Sequence, residues 1–207
     1  MSTLALVGST IQGVQRQSQL QFATQRRAGL FDELVALLLR EGFADLTLDD
    51  IASRLRCSKS TLYALAASKE QLVQAAVVHF FKRATDAVER RTEAVVGARQ
   101  RITAYLLAVG DELAMASDRF MADLDAFAPA RAVYESNTEM AAKRVQKLIA
   151  EGVSNGEFRD VHAAFAGELA ATMMVRIQQG GVHDSTGLDD AEAYRELASI
   201  LTRGIDA

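Results

Sequence analysis

Apolar residues recur along this chain at the three-and-four spacing of amphipathic helices, and no stretch alternates as a half-buried strand does. Leu30, Leu34, Leu37 and Leu38 form the first stripe, over about residues 25–41. Gly42 stands where a left-handed residue ends a helix, and Phe43 is placed to fold back on Leu38. Two short helices follow. Thr47 and Asp50 make a capping-box pattern ahead of Leu48, Ile51, Ala52 and Leu55. After a break near Arg56-Cys57, Ser58 caps a second short segment that runs to Tyr63. Ser68-Lys69-Glu70-Gln71 reads as another capping box and opens a long helix to about Val95, with Leu72, Ala76, Phe80, Ala84 and Val88 on its apolar face. Beyond Gly97 the spacing predicts helices at about 98–116, 118–128, 130–153, 161–179 and 190–203. Asp118 caps the second of these and Pro129 stops it, Asn155-Gly156 ends the third, and Gly180 to Gly187 is a loop. The expectation is an all-α chain of about nine helices without internal repeats.

Composition narrows the class. The 207 residues, 49% apolar and 24% charged with one proline and no tryptophan, suit an ordinary globular helical protein with a sizeable core. The longest apolar runs, such as Leu34 to Leu39, are too short to span a bilayer, and the start lacks the basic and apolar regions of a signal peptide. A single cysteine, Cys57, forms no internal disulfide and fits the cytoplasm. Residues 1–24, rich in Gln, Ser and Thr, read as a flexible arm.

The net charge is −4, which argues against a general nucleic-acid binder, but its distribution is uneven. Residues 1–93 hold 12 basic and 10 acidic side chains, leaving 11 and 17 of the totals of 23 and 27 for the rest. From Ile51 to Lys69 there is no acidic residue, while Arg54, Arg56, Lys59 and Lys69 are basic. A short, cationic, hydroxyl-rich second helix is what a helix-turn-helix places in the DNA major groove. Lys59 and Ser60 begin that helix, the end that faces base edges. Thr61 and Tyr63 carry hydroxyls for phosphate oxygens, although Tyr63 also suits packing beneath the next helix. Ser58, Thr47 and Lys69 stand at helix N-termini, which attract phosphate; for Thr47, capping alone is a competing role. Arg16, Arg26 and Arg27 are candidates for the adjacent minor groove.

The order Gly42-Phe43, Thr47, Asp50-Ile51-Ala52, Ser58-Lys59, Thr61-Leu62-Tyr63, Ser68-Lys69-Glu70 and Leu72 resembles the DNA-binding domain of TetR-family transcriptional regulators over residues 26–81. Glu157-Phe158-Arg159 is similar to the family's approach to its dimerisation helices. The resemblance implies a helix-turn-helix three-helix DNA-binding domain at residues 25–70 and a helical ligand-sensing and dimerisation domain at 71–207. It also implies a homodimer on a palindromic operator, usually as a repressor released by a small apolar or amphipathic effector. Three departures stand out. Arg56 occupies a turn position where the family has glycine, so it is expected left-handed and is a candidate replacement phosphate contact. Cys57 replaces a small aliphatic residue. Leu65-Ala66 replaces an aromatic pair, which removes one phosphate contact and loosens the seam between the third and fourth helices.

In the C-terminal part, the predicted helices at 161–179 and 190–203 are small-residue-rich and apolar enough to pair with a second copy. The resemblance makes Phe80, Tyr105, Phe120, Phe127, Tyr134 and Met173 candidate pocket residues, although each taken alone better suits an ordinary core. His79, His162 and His183 have no metal spacing, and no phosphate-cradling glycine loop or nucleophile elbow is present, so neither an enzyme nor a cofactor is expected. Two alternatives accompany the regulator: a relative with weakened DNA binding that acts through a protein partner, and a redox sensor whose Cys57 is activated by Arg56 and Lys59.

Overall fold

A computed structural model describes residues 27–205, so the expected arm at 1–24 with its Arg16, and Arg26 just after it, lie outside the described residues. These residues form ten helices and no strand: α1 (27–41), α2 (Leu48–Arg54), α3 (Lys59–Tyr63), α4 (Lys69–Glu93), α5 (Ala98–Leu113), α6 (Asp118–Ala126), α7 (Ala128–Ser154), α8 (Ala163–Gln178), α9 (Gly181–Thr186) and α10 (Asp190–Gly204). α5 is the central helix, packed by α4, α7 and α10, with Ile102, Leu106 and Ala108 wholly inside. α8 lies along α7 and also touches α10. The all-α expectation holds.

The local stop signals act as read, with four corrections. α6 is capped by Ser117, whose hydroxyl accepts from Phe120 N–H, and Asp118 is its first residue. Pro129 does not stop α6. The chain breaks at Phe127 (φ −103°, ψ 98°), and Pro129 sits in the first turn of α7, where its missing N–H costs no helical bond. The expected loop from Gly180 to Gly187 contains the short helix α9, bounded by those two glycines in left-handed conformation. At α4, Ser68 accepts from Gln71 N–H, but the Gln71 side chain reaches past the cap to Ala67 N–H, so the second capping box is only half made.

Two longer-range ties close the bundle. α5 has no side-chain cap of its own; the Glu157 carboxylate accepts from Ala98 N–H at 2.6 Å instead. Beside it, Phe158 lies over Gly152 so closely that a Cβ there would stand 2.3 Å from the ring. Arg159 then donates from its backbone to Ile205 O and from Nε to Gly204 O, fixing the end of α10. Glu157-Phe158-Arg159 is thus a junction of three helices. The buried hydroxyls of Thr92, Thr138 and Thr202 donate to the carbonyls four residues back, so none is left unpaired in the core.

Candidate nucleic-acid interface and effector groove

α2 and α3 meet through a tight turn whose pivot is Arg56, at φ 50° the one non-glycine residue with positive φ among those described. Its guanidinium is exposed and paired with no described carboxylate. Thr47 and Asp50 form the complete capping box: Thr47 Oγ1 accepts from Asp50 N–H and donates to Asp50 Oδ2, which also accepts from Thr47 N–H. These bonds hold the Asp50 carboxyl below its usual range. They also commit the Thr47 hydroxyl to its cap. Ser58 caps α3 by accepting from Thr61 N–H, and its Oγ lies 2.7 Å from Ser60 Oγ and 2.8 Å from Thr61 Oγ1. Three exposed hydroxyls therefore cluster at the start of α3. Tyr63 is 53% exposed at the other end, so it is no packing residue.

Both lysines have partners. Lys59 Nζ lies 2.6 Å from Asp49 Oδ2, a contact that raises the lysine above its ordinary pKa. Lys69 Nζ donates to Ala44 O at 2.8 Å, tying the start of α4 to the α1–α2 loop. Arg27 also turns inward, donating to Ala64 O just after α3. Leu65 and Ala66 are half-buried and pack on the core. Cys57 is partly buried too; burial, followed by the charge of Glu33, pushes its thiol up rather than down. That opposes a reactive thiolate and leaves the redox reading without support.

The α1–α2 loop is held from the other side by α6. Asp123 Oδ2 accepts from Phe43 N–H at 2.5 Å and Ala44 N–H at 2.8 Å, and Arg119 pairs with Asp45. Gly42, at φ 74°, leaves the space that Asp123 and Arg119 occupy. Ser117 N–H donates to Leu39 O, a further tie to α1. None of these contacts is announced in the sequence, because the partners are some eighty positions apart.

A groove of about 1240 Å³ opens between α6, α7, α8 and the start of α10. Of the six candidate pocket residues only Tyr134 lines it. Phe80, Tyr105 and Phe120 are buried in the core, Phe127 is half-buried against it, and Met173 stands on the outer face of α8. Most of the aromatics nonetheless connect. Phe127 and Phe120 each meet Phe43, Phe120 meets Phe80, Phe80 meets Phe81, and Phe81 stacks on Tyr134 at 5.1 Å. This chain of rings runs from the groove wall to the α1–α2 loop. The hydroxyl of Tyr134 is buried without a hydrogen-bond partner, and burial raises its phenol; burial also raises that of Tyr194, with the Gln178 side chain opposing. Such an unmet hydroxyl costs about 1–3 kcal/mol. Next to them Gln178 donates to Thr138 Oγ1.

Residues 30–76 match the family described as bacterial regulatory proteins, tetR family. No curated protein matches the chain. Solved structures share its fold. A transcriptional regulator from Saccharomonospora viridis, solved in complex with choline, superposes with a TM-score of 0.71 at 17% identity, covering 89% of this chain and 99% of its own. A TetR/AcrR-family regulator from Thermobifida fusca gives 0.64 at 23% identity, covering 87% and 98%. The ketosteroid transcriptional regulator of Mycobacterium tuberculosis gives 0.56 at 16% identity, covering 88% and 95%. Residues 30–76 are thus a TetR-family N-terminal domain, and they head a chain with the fold of TetR-family transcriptional regulators.

Proposed function

We propose that the chain is a ligand-responsive transcriptional regulator, acting in the cytoplasm as a homodimer on a palindromic operator, and a repressor released by a small effector. Residues 25–70 serve as the DNA-binding head and 71–207 as the sensing and dimerising body. The observation that carries this reading is the exposed start of α3. There Lys59, the Ser58–Ser60–Thr61 hydroxyl cluster, Arg56 and Tyr63 share one surface-exposed helix-turn-helix. Lys59 and Ser60 read bases, and Thr61, Tyr63 and Arg56 take phosphates. No helix among the described residues is long and apolar enough to cross a membrane.

The test is an electrophoretic shift with duplex DNA from upstream of its own coding region, at low salt. Absence of any shift sinks the reading. Lys69→Ala is expected to weaken binding to every sequence alike and to lower the salt slope by about one. The loss arises because Lys69 sits at the phosphate-facing start of α4 and also anchors Ala44.

The second copy docks on α8 and α10. Phe165, Leu169 and Met173 recur every fourth residue along α8 and are exposed, and Ile200 of α10 is 68% exposed. Four large apolar side chains left in water on the two expected dimer helices support a self-complementary interface. Sedimentation of the wild type should give a dimer. Leu169→Glu should give a monomer with DNA affinity lowered at least about tenfold, since one half-site contact is lost. A monomeric wild type contradicts the proposal.

A further inference from the structure

Three arginines near the start of the chain have no part in the function so far: Arg16, Arg26 and Arg27. In a chain where 27 of 207 residues are acidic, the first acid is Asp32. Every residue before it is basic or neutral, and six of residues 12–25 are glutamine. The stretch also precedes the family match, which starts at residue 30. Such a segment meets no repulsion from DNA phosphates, and arginine and glutamine are among the side chains that arms use in the minor groove.

The structure shows where this stretch joins the head. Arg27 opens α1, and its guanidinium donates to Ala64 O, one residue past α3. The tie holds the start of α1 against the far end of α3, so the chain before it departs from that end. The exit coincides with a gap in the interface. Lys59 and the hydroxyls of Ser58, Ser60 and Thr61 crowd the start of α3, and Tyr63 is its last side chain with a donor. Residues 64–67 are Ala-Leu-Ala-Ala and offer no side-chain donor to a phosphate, and Leu65 and Ala66 are half-buried on the core. Beyond the major groove that α3 enters, about 12 Å wide, lies the next minor groove. Arg16 stands ten positions before Arg26, a reach of up to about 33 Å, so both can enter it.

We propose that residues 1–26 are a second DNA-binding element, whose Arg16 and Arg26 enter the minor groove flanking the α3 site and favour A·T pairs there. The inference rests on the DNA-binding reading above and lengthens its operator. Its test compares the full-length wild type with Arg16→Ala/Arg26→Ala on the upstream duplex of the shift experiment. Dimethyl sulfate reports guanine N7 in the major groove, and hydroxyl radical reports the sugars along the minor groove. Both proteins should protect the same N7 atoms, and only the wild type should also shield a flanking minor groove. Fluorescence anisotropy at physiological salt should show about a fivefold loss of affinity in the double variant, with a salt slope lower by about two per chain. Netropsin, which fills A·T minor grooves, should weaken the wild type more than the double variant. Arg27→Met keeps both arginines and cuts only the tie to Ala64, so flanking protection should weaken while N7 protection stays. Circular dichroism checks that each variant is folded.

Identical flanking footprints for the wild type and the double variant overturn the inference and leave the regulator standing. So does an affinity that rises in the double variant, which puts the stretch on the acidic body rather than on DNA. Full flanking protection in Arg27→Met overturns the role given to the tie. A wild type that shifts no DNA removes the regulator and the second element together.

Discussion

Replacing Asp123 by alanine is expected to destabilise the protein by about 3 kcal/mol, lowering its melting temperature by roughly 6–12 °C. The reasoning starts from two backbone donors. Phe43 is buried, and its N–H and that of Ala44 both end on one carboxylate oxygen carried by α6. No helical carbonyl replaces that acceptor, because the two residues lie in the non-helical turn after α1. Alanine leaves the Phe43 donor without a partner, and charge-assisted bonds of this kind are among the more valuable in a fold. Asp123→Asn keeps an acceptor oxygen of nearly the same shape and should recover more than half of the loss. Thermal unfolding of the two variants checks the argument; a change below about 0.5 kcal/mol in Asp123→Ala refutes it.

Lys59→Ala is expected to lower affinity for the preferred operator about tenfold to hundredfold while leaving binding to unrelated DNA nearly unchanged. The lysine stands first in α3, at the end that meets base edges in this motif. In the free protein its ammonium is engaged with Asp49, so DNA binding has to exchange one partner for another. The pair is exposed on both sides, and such surface pairs are weak, so the exchange is easy. A sharper consequence follows for the acid. Asp49→Asn removes both the competing partner and a negative charge beside the phosphates, so it should tighten binding. Fluorescence anisotropy with matched specific and scrambled duplexes reads both effects. Equal losses on the two duplexes in Lys59→Ala would reduce the lysine to a phosphate contact.

The features legible in the sequence are those fixed within a turn or two of chain. Thr47 with Asp50, Ser58 with Thr61, and Gly42 are resolved by neighbours three or four residues away, and the structure shows each as read. Arg56 in left-handed conformation belongs to another class: the expectation comes from the resemblance, which has glycine at that turn position, and the arginine itself carries no sign of it. The errors show where local rules compete. Ser117 and Asp118 are both good caps, and which one wins depends on where α6 begins. Pro129 ends a helix or starts one equally well, and the break at Phe127 made it a start. The remaining misses are long-range. Asp49 lies ten residues before Lys59, outside any acid-free window counted along the chain, yet folding brings the two together. Asp123 carries no motif, and its role exists only because α6 docks on the α1–α2 loop. Among the pocket candidates, aromatic character did not separate core from groove. Tyr134 differs from Phe80 and Phe120 in its hydroxyl and its place on α7, neither of which periodicity weighs.

The Asp123 clamp also bears on how such a protein is taken apart and rebuilt. A cut at the end of the helix-turn-helix, near residue 70, separates Phe43 and Ala44 from the carboxylate that receives their N–H groups. The head then carries two raw donors and loses the Arg119–Asp45 pair, while Phe43 loses its ring contacts with Phe120 and Phe127. The transplantable unit is therefore discontinuous in sequence: α1 to α4 together with α6. Chimeras that join this head to a foreign sensing body should keep a residue with the reach and charge of Asp123 opposite the loop.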